Sequence, residues 1–167
     1  MATLNRQLRE TAIQAIYMCD SVSDWSADRI RDCLKNFLET EEFIDPTVSL
    51  VGEIVTRLPE IDHKITRASR RWSVARMARL DRSILRVAVY ELMSAGQLSL
   101  GITINESLEL GRKYGSDESP QFLNGILDRV ALNEDLKPPP ENPEKSTVAA
   151  RIGEILLGPT PELTPVK

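Results

Sequence analysis

A chain of 167 residues, 41% hydrophobic and 28% charged, can bury roughly 70% of its unfolded surface, which fits one domain with a modest appendage and excludes disorder throughout. Unbroken apolar runs such as Val87 to Tyr90 fall far short of the roughly 18 residues of a membrane span. The N-terminus alternates charged and apolar residues where a secretion signal needs a continuous apolar core, and two cysteines without CxxC spacing point to a reducing cytoplasm.

Taken in chain order, the pattern predicts helices. From Leu4 to Cys19, a rotation of about 100° per residue gathers Leu4, Leu8, Ala12, Ala15, Ile16 and Cys19 into a core-facing stripe. The same rotation sets Arg6, Arg9, Ile13 and Tyr17 on the opposite, outward side. Ser26 to Leu38 is a second amphipathic helix, with Ile30, Cys33, Leu34, Phe37 and Leu38 at helical spacing. Asp45 and Pro46 read as N-cap and first residue of a third helix, and Pro59 opens a fourth that runs to about Ala68. Ser69 to Arg79 reads as a short helix or turn anchored by Trp72 and Met77.

From Asp81 to a closing Gly96 the chain is apolar nearly all round, which predicts a buried central helix. Leu98 to Ile102 reads as an extended link. Thr103 and Glu106 have capping-box spacing and predict a helix from Ile104 to Tyr114 that Gly115 ends. Ser116 to Pro120 then opens a last helix through Ala131, with Asp117 and Glu118 suited to its positive end. Beyond Leu136 come seven of the ten prolines, which predicts a mostly extended, disordered tail over residues 137–167 with a short amphipathic stretch at Thr147 to Leu157. The fold class is all-α, with residues 1–136 forming the helical domain.

Charge is unevenly spread. Between Lys64 and Arg86 the balance is +7, so the remainder sums to −11. This is the footprint of a surface that meets phosphates on a body that meets an electropositive protein elsewhere, although helical arginines also commonly form solvated ion pairs. Catalytic machinery is not visible. The lone His63 and the two cysteines argue against a thiol-imidazole pair or a zinc site, and Gly111, Gly115 and Gly125 lack phosphate-loop spacing. No metal or cofactor is expected. Recognition remains: guanidiniums hold phosphates, and unpaired bases stack on flat rings. Arg6, Arg9 and Tyr17 offer both, with Gln14 on the same helix, and Arg70, Arg71 and Arg76 extend the candidate RNA contacts by charge alone.

LDRSILRVAVYEL (80–92) and INESLELGRKYGSDESPQFLNGILDR (104–129) resemble the paired signatures of the NusB family of bacterial transcription antitermination factors, and RETAIQAIY (9–17) resembles its N-terminal helix. The resemblance spans about residues 3–135. It implies seven helices in two three-helix bundles and a non-enzymatic adaptor. Such an adaptor pairs with the ribosomal protein NusE, binds single-stranded boxA RNA of nascent ribosomal transcripts, and joins the RNA polymerase antitermination complex.

It also implies RNA contacts from the arginine-bearing first helix, from Tyr17, and from Phe122. Asn5 and Gln7 stand where relatives often carry further basic residues, and each lost phosphate contact lowers affinity and flattens its salt dependence. Arg9→Ala is accordingly expected to weaken RNA binding at low salt, and Tyr17→Ala to weaken it with little change in salt slope. Tyr90, Glu91, Asp117 and Glu118 are the candidate contacts for a basic ribosomal protein. Two alternatives stay open: a detached relative of the NusB-like domain that precedes some RNA cytosine methyltransferases, and a purely structural homodimer.

Overall fold

Seven α-helices appear in a computed structural model, which describes residues 4–38, 41–70, 72–95 and 100–134. They are α1 (Arg6–Val22), α2 (Ala27–Phe37), α3 (Ile44–Thr56), α4 (Leu58–Ser69), α5 (Arg79–Ala95), α6 (Leu100–Tyr114) and α7 (Ser119–Asn133). Single 3₁₀ turns at Glu41–Phe43 and Val74–Arg76 complete the described elements. The expectations at Arg71, at Gly96 and for the tail, including Thr147 to Leu157, lie outside the described residues, and no described helix is long and apolar enough to cross a membrane.

Local chemistry accounts for the starts of the first two helices. Asn5 Oδ1 accepts from the Leu8 amide at 2.7 Å and caps α1, while Ser26 Oγ accepts from the Arg29 amide at 3.2 Å and caps α2. Two starts differ from expectation. Helix α3 begins at Ile44 rather than after Asp45, because the preceding 3₁₀ turn leads straight into it and Pro46, still in the first turn, lacks only an N–H that needs no helical partner. Helix α6 begins at Leu100, so residues 100–102 are helical rather than extended. Thr103 therefore lies inside the helix, fully buried, and makes no capping box.

Helices α1, α2 and α3 pack on one another, and α5 packs against α1, α4, α6 and α7. The expected central helix is thus present: Ile84, Leu85, Val87, Ala88, Val89 and Leu92 are buried around its circumference, as its near-continuous apolar sequence requires. Gly111 brings α6 and α7 together, since a β-carbon there would meet Leu123 Cδ1 at 2.7 Å. Gly125, by contrast, faces open space.

Partly buried ion pairs fasten the N-terminal bundle to the rest. Asp20 on α1 accepts from Arg82 and, at 3.0 Å, from Arg86 on α5, and Arg86 also donates to Asp62 on α4 at 2.8 and 2.9 Å. Burial alone would raise the Asp20 pKa, but the hydrogen bonds from Arg82 and Arg86 outweigh it and hold the carboxyl below its ordinary range. A depressed folded pKa contributes stability above the unfolded aspartate value, about 3.9, and that stability is lost as pH falls through the folded value. Asp20→Asn should therefore lower stability at neutral pH, with the gap from the parent narrowing as pH drops below about 4. Urea unfolding across pH 3–7 checks this sign.

Candidate nucleic-acid interface

The outward side expected for α1 divides in two. Arg6 remains exposed, with 60% of its side chain in solvent, and Tyr17 is 36% exposed, whereas Arg9 and Ile13 are buried. Arg9 does not face solvent. Its guanidinium lies 1% exposed against Glu91, itself 2% exposed, and donates to it from Nε at 3.1 Å and from Nη2 at 2.8 and 3.1 Å. Arg9 Nη2 also donates to the Leu4 carbonyl at 3.1 Å, Glu91 accepts the Leu4 amide at 3.2 Å, and Glu106 stands 3.7 Å from Arg9 Nη1. The pair ties the start of α1 to the last turns of α5, because an isolated charge at either position would be far too costly to bury.

This also removes Glu91 from the partner surface. Tyr90 is 3% exposed, with its hydroxyl donating to Glu53, so it too is an interior residue. Asp117 and Glu118 are exposed ahead of α7, and they alone of the four partner candidates are free to meet another protein.

What α1 does offer is a groove of about 320 Å³ lined by Glu10, Ile13, Gln14 and Tyr17 with Leu80 and Ile84 of α5 and Leu110 and Tyr114 of α6. That volume lies at the low end of ligand sites, roughly 300–1,000 Å³, and accommodates a nucleobase. Its floor is aliphatic, and two rings stand at its edges. The Arg79 guanidinium carbon lies 5.6 Å from the Tyr17 ring centroid, and Lys113 Nζ lies 4.5 Å from that of Tyr114, so each ring carries a cation.

Glu10 accepts from the Tyr114 hydroxyl and, at 3.0 Å, from Lys113. Burial works to raise the Glu10 pKa, but these two donors outweigh it and hold the carboxyl below the usual glutamate range. The ionised carboxylate thereby fixes the ring that closes the groove.

Apolar walls with aromatic edges and basic groups at the rim suit a flat heterocycle attached to phosphate. Gln14 adds an amide able to donate and accept.

The sequence does not single out Tyr114, Lys113, Glu10, Leu80 or Arg79 for this role. The available signal is the adjacent Arg112, Lys113 and Tyr114 at the end of α6, which reads as a helix terminus until α1 is seen beside it. Phe122 is half-buried on α7, outside the groove lining.

The basic run is only partly available. Arg82 and Arg86 serve the interior ion pairs, and Lys64 pairs with Glu134 at 2.7 Å. Arg67, Arg70, Arg76 and Arg79 are exposed. His63 is exposed on α4, while Cys19 and Cys33 are buried near each other between α1 and α2. The thiols and the imidazole therefore do not form a pair, and burial pushes the Cys19 thiol up to about 11. Among the described residues, no group of three or more His, Cys, Asp or Glu side chains is arranged to hold a metal.

A sequence profile of the NusB family matches residues 6–132. The transcription antitermination protein NusB of Geobacter sp. strain M21 is 39% identical over 140 residues, covering 77% of this chain and 94% of that protein. Its counterpart in Geobacter sulfurreducens is 40% identical over 131 residues, covering 74% and 90%. Among solved structures, NusB of T. maritima superposes with a TM-score of 0.66 at 30% identity, covering 79% of this chain and 93% of that one. A complex of the antitermination factors NusB and NusE with double-stranded RNA contains a chain of the same fold, with a TM-score of 0.66 at 22% identity, covering 77% and 96%.

Proposed function

The chain belongs to the NusB family, and from that premise we propose that its α1–α5–α6 groove is where this transcription antitermination protein takes single-stranded boxA-type RNA. The role is that of a non-catalytic adaptor. The observation that carries the reading is the groove itself, an apolar slot between Tyr17 and Tyr114 with Arg79 and Lys113 against their rings. A structural relative is a NusB protein complexed with NusE and double-stranded RNA, which supports NusE and RNA as partners here, and the groove's apolar slot favours an unpaired strand.

Bases enter between the rings while phosphates meet Arg6, Arg79 and Lys113, with Gln14 at the groove wall and Arg70 and Arg76 along the path of the strand. Phe122 contributes only where the strand leaves the groove. Residues 1–136 carry this activity and 137–167 form a separate proline-rich segment. NusE, a basic ribosomal protein, docks on the acidic surface at Asp117 and Glu118. The heterodimer on its RNA joins the RNA polymerase antitermination complex in the cytoplasm, where nascent ribosomal transcripts are made.

Fluorescence anisotropy with labelled boxA and scrambled RNA, each with and without NusE, tests this directly. Tighter binding of boxA, strengthened by NusE, is the expected result. Equal affinity for both RNAs would refute boxA specificity, and sedimentation as a dimer indifferent to NusE would favour a purely structural role. Within the site, Arg6→Ala should reduce the slope of log affinity against log salt by about 0.7, the share of one phosphate contact on a single strand. Its thermal midpoint should stay near the parent's, because Arg6 is solvent-exposed and its ion pair with Glu106 spans 3.9 Å.

A further inference from the structure

The loop joining α4 to α5 presents an indole that the groove does not use. Trp72 is 47% exposed, which leaves its large ring accessible to a planar partner. Its backbone is held by a neighbouring side chain. Its amide donates to Ser69 Oγ at 3.0 Å, and the Ser69 hydroxyl in turn donates to its carbonyl. Arg70, with φ 54° and ψ −34°, turns the chain through a region that non-glycine residues rarely adopt. The Arg76 guanidinium carbon lies 5.1 Å from the ring centroid.

The loop is also continuous with the groove. Arg82 donates to the carbonyls of Val74 and Ala75 at 3.1 and 3.3 Å and pairs with Asp20 on α1. Arg79, 4.0 Å from the same aspartate, lies over Tyr17. From His63 to Leu80 the chain contains no acidic residue, so a polyanion following this route meets exposed Arg70, Arg76 and Arg79.

We propose that Trp72, with Arg76 on its ring, is a second stacking platform that holds a nucleotide flanking the segment in the groove, lengthening the RNA footprint along the α4–α5 loop. This rests on the RNA-binding reading of the groove. Its chemistry is base-tolerant, since every nucleobase has a face that stacks and a neighbouring phosphate for a guanidinium.

The test uses the full chain carrying Trp25→Phe, which leaves Trp72 as the single indole. A boxA RNA of about twelve nucleotides is compared with the same RNA extended by a few adenosines at either end. One extended RNA should bind more tightly than the core and quench Trp72 emission, which the core leaves unchanged. Trp72→Ala should lose about fivefold in affinity for the extended RNA and none for the core, and Trp72→Phe should retain most of the gain.

Equal losses on both RNAs, unquenched emission, or an emission change produced by NusE without RNA would each overturn the platform while leaving the groove in place. Failure of the parent chain to bind the core RNA would overturn both. Circular dichroism of Trp72→Ala separates lost contact from lost fold.

Discussion

Replacing Arg9 by alanine should destabilise the fold by about 3–5 kcal/mol, measured by urea unfolding, while leaving the salt slope of RNA binding by the folded protein unchanged. The reason is the fate of Glu91. Once the guanidinium is gone, a carboxylate only 2% exposed keeps a single backbone donor, the Leu4 amide, among the donors described, and a buried charge without its partner is among the most damaging outcomes of a single substitution. The double variant Arg9→Met, Glu91→Leu should recover most of the loss, because removing both charges removes the desolvation penalty that each imposes. A phosphate-binding Arg9 would behave in the opposite way, with stability unchanged and a flatter salt dependence.

Tyr17→Ala should weaken binding of single-stranded RNA by about 1–3 kcal/mol, at least about fivefold, with the salt slope preserved because no phosphate contact is removed. The ring is 36% exposed and forms one wall of the groove, so its removal opens the slot without hollowing the core. Tyr17→Phe should keep most of the affinity, since stacking depends on the ring face rather than on the hydroxyl. Anisotropy titrations at several salt concentrations separate these outcomes from the Arg6→Ala behaviour.

The contrast between Arg9 and Tyr17 shows what sequence periodicity can and cannot resolve. The two residues share a side of α1 eight positions apart, and the helical wheel sees the angle but not which stretch of that side another helix covers. The last turns of α5 cover the start of α1, while the groove leaves its middle open. A sequence signal for this does exist: Glu91 stands in an otherwise apolar stretch of the central helix, and a carboxylate there demands a buried cation.

The same logic applies to Arg82 and Arg86, whose charges read as surface but neutralise Asp20 and Asp62. The helices themselves were legible because their apolar spacing and starts are local properties, as at Ser26 and in the near-continuous core of α5. At Thr103 a plausible cap lost to three further residues of helix on its N-terminal side. The groove was less legible, because Tyr114 and Leu80 reach Tyr17 only through the packing of three helices.

The placement of the RNA can be tested by ultraviolet crosslinking of boxA RNA carrying 4-thiouridine at successive positions, followed by mapping of the crosslinked peptides. Adducts on Tyr17, Tyr114 or their immediate neighbours in α1 and α6 are the predicted result. Adducts confined to α2 and α3, with the α1–α5–α6 groove unmarked at every thiouridine position, would contradict it.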